Sequence, residues 1–394
     1  MRSTLQNPTA LWRSAALTWV LAGMFTVSAQ TLPGSKTSHS EVGRGLIYKN
    51  DRLRGGPWSV HLLKIDRTRT DLQLVTTLAG EKVMGVATLT QQIRTVPPSV
   101  GRPLAAMNGD FFRERDMFEG DPRGLQIMNG ELVSGPNGKA CFWIDTNGHP
   151  NCAEVMPQFK VTLPSGESVP FGLNEPMEEN IPVLFTPIYG PSTYTDEGPE
   201  VVLERAGQRP WLPLRIGQNY VAVVRSVRNS GNTRLTSDTM VLSLGRYAAK
   251  RLPAIKPGTI LKISTATLPN LAGASTAIGG GPMLVVDGAV PSIREYKAHD
   301  RHPRAAIGWN DQYIFFAEVD GRQRGLSIGM TLPELGAYLV SQGCLQAMNL
   351  DGGGSAELWL EGRIVNSPCY GHERETGNAI VVVQKKKDPP AAAE

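Results

Sequence analysis

Short apolar runs bounded by turn residues set the rhythm of the chain. WSVHLLKID at 58–66, LQLVTTL at 72–78, CFWID at 141–145, YVAVVRSV at 220–227, TMVLSL at 239–244, ILKIS at 260–264, YIFFAEV at 313–319 and AIVVVQ at 379–384 have strand length and strand composition. Helical spacing is rare. One helix is predicted over roughly Val86 to Thr95, closed by Pro97 and Pro98, because the residue ahead of a proline avoids the helical region. A second is marked by a capping box of Thr331 and Glu334, by Leu335 and Leu339 on one face, and by Gly343 at its end. The expected fold class is α+β: β-rich mixed sheets with few helices in a single large domain over 51–384.

The pattern also repeats weakly. AAMNGDFF at 105–112 and QAMNLDGG at 346–353 share Ala, Met, Asn and Asp at matching offsets. Hairpin-like segments follow each, GLQIMNGELVSG at 124–135 and AELWLEGRIVNS at 356–367, and a third stands at 281–292 as GPMLVVDGAVPS. If the repeat is structural, Asp110 and Asp351 end equivalent strands and face one cleft. Residues 153–270 read as a β-rich middle segment packed against the rest.

The ends differ from this body. Arg2 and Arg13 precede the apolar AALTWVLAGMFTV and the small residues of VSAQ, which predicts a signal peptide over 1–29 and an exported chain, periplasmic or extracellular. The apolar run is short for a membrane span, so no stable span is expected after cleavage. Residues 30–50 read as a polar linker and 385–394 as a disordered tail. Four cysteines suit an oxidising compartment. Their positions favour Cys141 with Cys152, flanking the turn TNGH, and Cys344 with Cys369. A net charge of +4 over 394 residues, with no basic run interleaved with aromatics, gives no reason to expect a nucleic-acid partner.

Chemistry is concentrated where strands end. Alternation puts Asn108 and Asp110 on one face, and Asn349 with Asp351 repeats the arrangement. Asn and Asp are also ordinary turn residues, and it is the duplication that points to a shared ligand. The runs Gly279, Gly280, Gly281 and Gly352, Gly353, Gly354 offer backbone N–H groups to an anion; no GK[ST] follows, so neither is a Walker loop. Arg304 stands just ahead of a strand, where a guanidinium can grip a phosphate with two parallel bonds, and His302 lies two residues earlier with an imidazole suited to proton transfer. Ser355 follows glycines without a GxSxG frame, and no zinc spacing occurs. No cofactor is required by these residues, although the Asp and Asn oxygens could take Ca²⁺ or Mg²⁺.

NGDFF at 108–112, GGGPMLVVDG at 279–288, HPRAAIGWN at 302–310, GMTLPELGAYL at 329–339 and MNLDGGGS at 348–355, in that order, resemble the phosphodiester glycosidase family, as do VLFTPIYG at 183–190, VLSLG at 241–245 and the N-S-P at 366–368. The resemblance runs from about Gly55 to Val383. It departs at Ala305, where the family has threonine, and at LNEPMEEN over 173–180, where it commonly has arginine; both bear on substrate contacts more than on reaction type. The resemblance implies hydrolysis of a sugar 1-phosphodiester, N-acetylglucosamine 1-phosphodiester-like, at the anomeric carbon. Asp110 and Asp351 then supply the paired carboxylates, Arg304 and the glycine amides hold the phosphate, and Asn108, Asn349 and Ser355 orient the substrate. Two other readings of the same residues stand beside it. One is a metal-assisted phosphodiesterase cutting P–O, and the other a non-catalytic module for exported phosphorylated glycan.

Overall fold

Strands in this chain exist mainly because apolar residues recur at a period of two and find a partner layer. Ile260–Leu268 alternates between buried positions and exposed or half-buried ones, whereas Tyr313–Val319 is buried on both faces. The computed structural model describes residues 36–208 and 210–386, which lie within one compact unit. The predicted signal peptide falls outside the described residues, as does the tail from residue 387; Lys385 is still tied, its amide donating to Asp71 O at 2.8 Å.

Two sheets frame the functional region. A seven-stranded sheet runs in the order Lys36–Gly43, Leu46–Leu53, Trp58–Asp66, Tyr313–Val319, Arg304–Trp309, Gln346–Asn349, Met283–Val285. A five-stranded sheet runs Arg363–Ile364, Leu358–Leu360, Arg102–Asn108, Asn378–Gln384, Leu72–Leu78. Their facing sides share one core: Leu63, Phe316, Ile307 and Met348 from the first, Met107, Leu358, Ile380 and Val382 from the second. Helix α1, Leu89–Arg94, packs with Val75, Ala106 and Val381 on the outer side of the five-stranded sheet. Arg246–Arg251 forms a short helix, α2, which the sequence pattern does not announce. Helix α3, Leu332–Ser341, packs with Leu62, Phe315 and Ala317 on the outer side of the seven-stranded sheet. The capping box of Thr331 and Glu334 is present, with Leu335 and Leu339 both buried. Thr88 caps α1 in the same way, which is why that helix begins at Leu89 and not at Val86.

The middle segment contributes an eight-stranded sheet whose core joins Leu242, Ile263 and Val201 to Ile127, Trp143 and Ala277 of a second five-stranded sheet. One parallel pair, Gly172–Leu173 beside Val183–Phe185, makes the larger sheet mixed. The β-rich class with few helices is therefore as expected.

Two expectations are corrected. The stretch read as linker up to residue 50 supplies two strands, Lys36–Gly43 and Leu46–Leu53, paired with each other and with Trp58–Asp66. The first of them is the edge strand of the sheet, with a neighbour on one side only. The cysteine pairs do not form: all four thiols are free. In the hairpin of Ala140–Ile144 and Pro150–Glu154, Cys152 stands opposite Phe142, so it shares a face with Phe142 while Cys141 points the other way. Cys141 is accordingly packed in one core and Cys152 against another. Cys344 sits under α3 and hydrogen-bonds to Trp309 O and Gln346 O, while Cys369 contacts Gly353 O.

Candidate functional site

The repeated N-x-D segments end strands of opposed sheets, and there they meet. Asp351 N–H donates to Gly109 O at 3.1 Å, and Asn108 Nδ2 donates to Asp351 O at 2.7 Å. Asn108 Oδ1 also accepts from Glu357 N–H at 3.1 Å. Asn108 is fully buried with both ends of its amide engaged. It fixes the backbone that bears the carboxylates, which corrects its reading as a substrate-binding residue. Asn349 is buried too and donates through Nδ2 to Gly281 O at 3.1 Å, leaving its Oδ1 without a protein partner.

Asp110 is held by both oxygens. Phe111 N–H donates to Oδ1 at 2.7 Å and Gly124 N–H to Oδ2 at 2.8 Å, while Asp110 N–H donates to Asn378 Oδ1 at 2.8 Å. Burial pushes its pKa up to about 7 against those two amides, and the charge of Asp351 adds to the rise. A Cβ on Gly279 would stand 2.4 Å from Asp110 Oδ2, so only glycine lets that strand cross behind the carboxylate. Asp351 keeps some exposure. Burial raises its pKa to about 6, and the Ser355 hydroxyl, Arg374 and the Gly352 amide oppose the rise. Glu357 completes an acidic group: burial lifts it to about 8, Oε1 accepts from Arg374 N–H at 2.6 Å, and Oε2 has no partner.

The first glycine run serves packing. Gly280 N–H donates to Ala140 O and Gly281 N–H to Asn349 O, so those amides are spent on backbone and no anion nest forms there. Gly279 lies inside the strand Thr276–Gly279, paired with Cys141. Gly353, at φ +63°, donates to Pro303 O at 2.8 Å, and Tyr370 lies so close over Gly354 that a Cβ would meet its ring at 2.3 Å. Ser355 is fully buried and accepts from Arg374 Nη1 at 3.0 Å; it supports Asp351 and Arg374 and is not open to a ligand.

Arg304 is a second correction. Its guanidinium donates to Met330 O at 3.0 Å, to Asp300 O at 2.7 Å and to Lys297 O at 3.3 Å. Buried, with Nε and Nη2 spent on carbonyls, it clamps the 297–300 segment to the sheet and keeps at most Nη1 for a phosphate. His302 does come to the rim, with Nδ1 3.4 Å from Arg322 Nη2; burial and the neighbouring Arg304 and Arg322 lower its pKa.

Two cations that sequence reasoning passed over lie here, Arg374 beside Asp351 and Arg322 beside Gly353. Arg374 lies beside Asp351 through Ser355, stacks over Phe112 at 5.3 Å, and pairs with Glu114 at 2.7 Å. Arg322 approaches Gly353, with Nη2 3.2 Å from the position a Cβ would take, and is exposed. A signal for Arg322 was present: DGR at 320–322 ends a strand as NGD does at 108–110 and NLDG at 349–352. Nothing in GHERETGN distinguishes Arg374 from a solvated charge. A cleft of about 300 Å³ is lined by Phe111, Lys139, Gly280, Gly281, Met283 and Glu295, and neither Asp110 nor Asp351 is part of its wall. Among the described residues no group of three or more His, Cys, Asp or Glu side chains is placed to hold a metal ion.

Residues 218–383 match the model of the phosphodiester glycosidase family. Over that span the chain is phosphodiester glycosidase-like. That span carries Arg304, Arg322, Asp351, Ser355, Glu357 and Arg374; Asn108 and Asp110 lie ahead of it. The SPbeta prophage-derived uncharacterized protein YomE of Bacillus subtilis is 36% identical over 83 residues, 21% of this chain and 13% of that protein. A hypothetical protein from Synechocystis has a similar fold, with TM-score 0.71, 20% identity, and coverage of 88% of this chain and 64% of the other. A Burkholderia pseudomallei protein described as exported gives TM-score 0.64 and 22% identity over 83% of this chain and 74% of its own. No helix of the described residues is long and apolar enough to cross a membrane.

Proposed function

We propose that the protein hydrolyses a sugar 1-phosphodiester at the anomeric carbon, releasing free sugar and a phosphomonoester, and that it does so as an exported enzyme acting on phosphorylated glycan. The observation that carries this reading is the contact of Gly109 with Asp351, which brings the carboxylates of Asp110 and Asp351, from chain-distant strands, within electrostatic reach of each other, with Arg374 beside Asp351. Asp351, the more exposed of the two, faces the sugar as base or nucleophile. Asp110, whose oxygens both accept amides, stabilises the positive charge that grows on the ring as the bond breaks. Arg374 and Arg322 take the leaving phosphate, whose charge peaks in the transition state, and they replace Arg304 in that role. His302, beside Arg322, is placed to exchange a proton with the departing phosphate. Asn108, Asn349 and Ser355 act by holding these groups.

Turnover of a sugar 1-phosphodiester in ¹⁸O-labelled water tests the bond assignment. The label is expected on the anomeric carbon of the sugar, with unlabelled phosphomonoester. Label on phosphorus would establish P–O cleavage and replace this reading by a phosphodiesterase, while binding without release of reducing sugar would replace it by a glycan-binding module.

A further inference from the structure

The loop after Asp110 is fastened at both ends to that residue's carboxylate, through Phe111 N–H at 2.7 Å and Gly124 N–H at 2.8 Å. From this loop Glu114 reaches Arg374 and accepts from its Nη2 at 2.7 Å. The other terminal nitrogen, Nη1, donates to Ser355 Oγ at 3.0 Å, on the side of the supporting hydroxyl of Asp351. Phe112, from the same loop, lies under the guanidinium plane at 5.3 Å. Three directions around Arg374 are thus occupied by a ring, a hydroxyl and a carboxylate, and only the carboxylate is itself an anion.

We propose that Glu114 is a specificity-determining residue: its carboxylate fills the anion-binding face of Arg374 in the free protein and is exchanged for the phosphate of the substrate. The inference rests on Arg374 being a phosphate ligand, as assigned above. The pair is exposed, with side-chain exposures of 26% for Arg374 and 44% for Glu114, and an exposed pair is held weakly. A phosphate offers the guanidinium charge-assisted bonds through two oxygens, and the exchange therefore runs toward the ligand. A neutral glycoside brings nothing to replace Glu114 and leaves the face closed. Arg322, which makes no ion pair among the described residues, stands beside Gly353 to receive a further phosphate oxygen. Glu114 also raises the pKa of Asp351, so its charge is felt at the carboxylate that faces the sugar.

Calorimetric titration of the full protein with inorganic phosphate decides the matter. Glu114→Gln and Glu114→Ala are both expected to bind phosphate about three- to fivefold more tightly than the native chain, the scale of losing one exposed competing pair, and Arg374→Ala to lose most binding. In the pH–rate profile the acid limb of Glu114→Gln moves to lower pH, because a charge that raises the Asp351 pKa has gone, a shift that a merely structural role would not give. Equal or weaker phosphate binding by both Glu114 variants overturns the proposal. If phosphate binding follows the prediction but no sugar 1-phosphodiester is cleaved, the exchange at Arg374 stands and the hydrolytic reading falls.

Discussion

Glu357 and Glu318 are buried carboxyl groups with orphaned oxygens: Oε2 of the first and both oxygens of the second have no partner. A buried, unpaired carboxylate is costly, so each keeps its proton well above the usual carboxylate range. Burial is the main cause in both, and the charges of Glu357, Asp320 and Asp351 raise Glu318 further. The folded chain thus holds a proton on Glu357 that the unfolded chain releases above about 4.5, up to a folded pKa of about 8. Stability contributed at acid pH is lost as pH rises through that window, at about 1.4 kcal/mol per pH unit for each retained proton. Glu357→Gln, which can still accept from Arg374 N–H, is expected to flatten the fall of unfolding free energy between pH 5 and 7.5 by about 1 kcal/mol per unit. Denaturant titrations at several pH values measure it; a slope equal to that of the native chain would mean that Glu357 is ionised in the fold.

Elements are pinned by side chains that a sequence pattern mistakes for ligand-binding ones. Arg304 joins its strand to the 297–300 segment and to Met330 through three carbonyls, and removing a buried charged donor set of this kind costs roughly 2–4 kcal/mol. Arg304→Ala is therefore expected to lower the thermal midpoint by several degrees and to leave the KM for an anionic substrate within about twofold, whereas Arg374→Ala raises that KM about tenfold or more, the loss of a charge-assisted bond pair. Thermal melts beside steady-state kinetics separate the two, and a selective KM defect in Arg304→Ala would return that residue to the site. Both arginines precede or follow ordinary turn chemistry, and only the third dimension distinguishes one bonded to backbone carbonyls from one paired with an exposed carboxylate.

At the scale of the molecule, much was readable because it was local. Alternation located the main strands, Thr331 with Glu334 located α3, and the doubled N-x-D located the crossing of the two sheets. What escaped depends on contacts between distant segments. The edge strand KTSHSEVG is polar on both sides, six residues of α2 carry no periodicity, and the separate faces of Cys141 and Cys152 follow from a register that spacing alone does not set. The glycine runs read in the sequence as amides for an anion, but what comes close to them is protein: Asp110 behind Gly279, Tyr370 over Gly354. Two opposed sheets joined at one polar seam deliver a pair of carboxylates that neither sheet could present alone.

The most direct measurement is the turnover number of Asp110→Asn and of Asp351→Asn on one sugar 1-phosphodiester, each variant checked for native unfolding behaviour. Both are expected to fall by about 10²–10⁴-fold, the range for losing a positioned acid–base or charge-stabilising group. Near-native turnover by either folded variant would contradict a site built from the two carboxylates together.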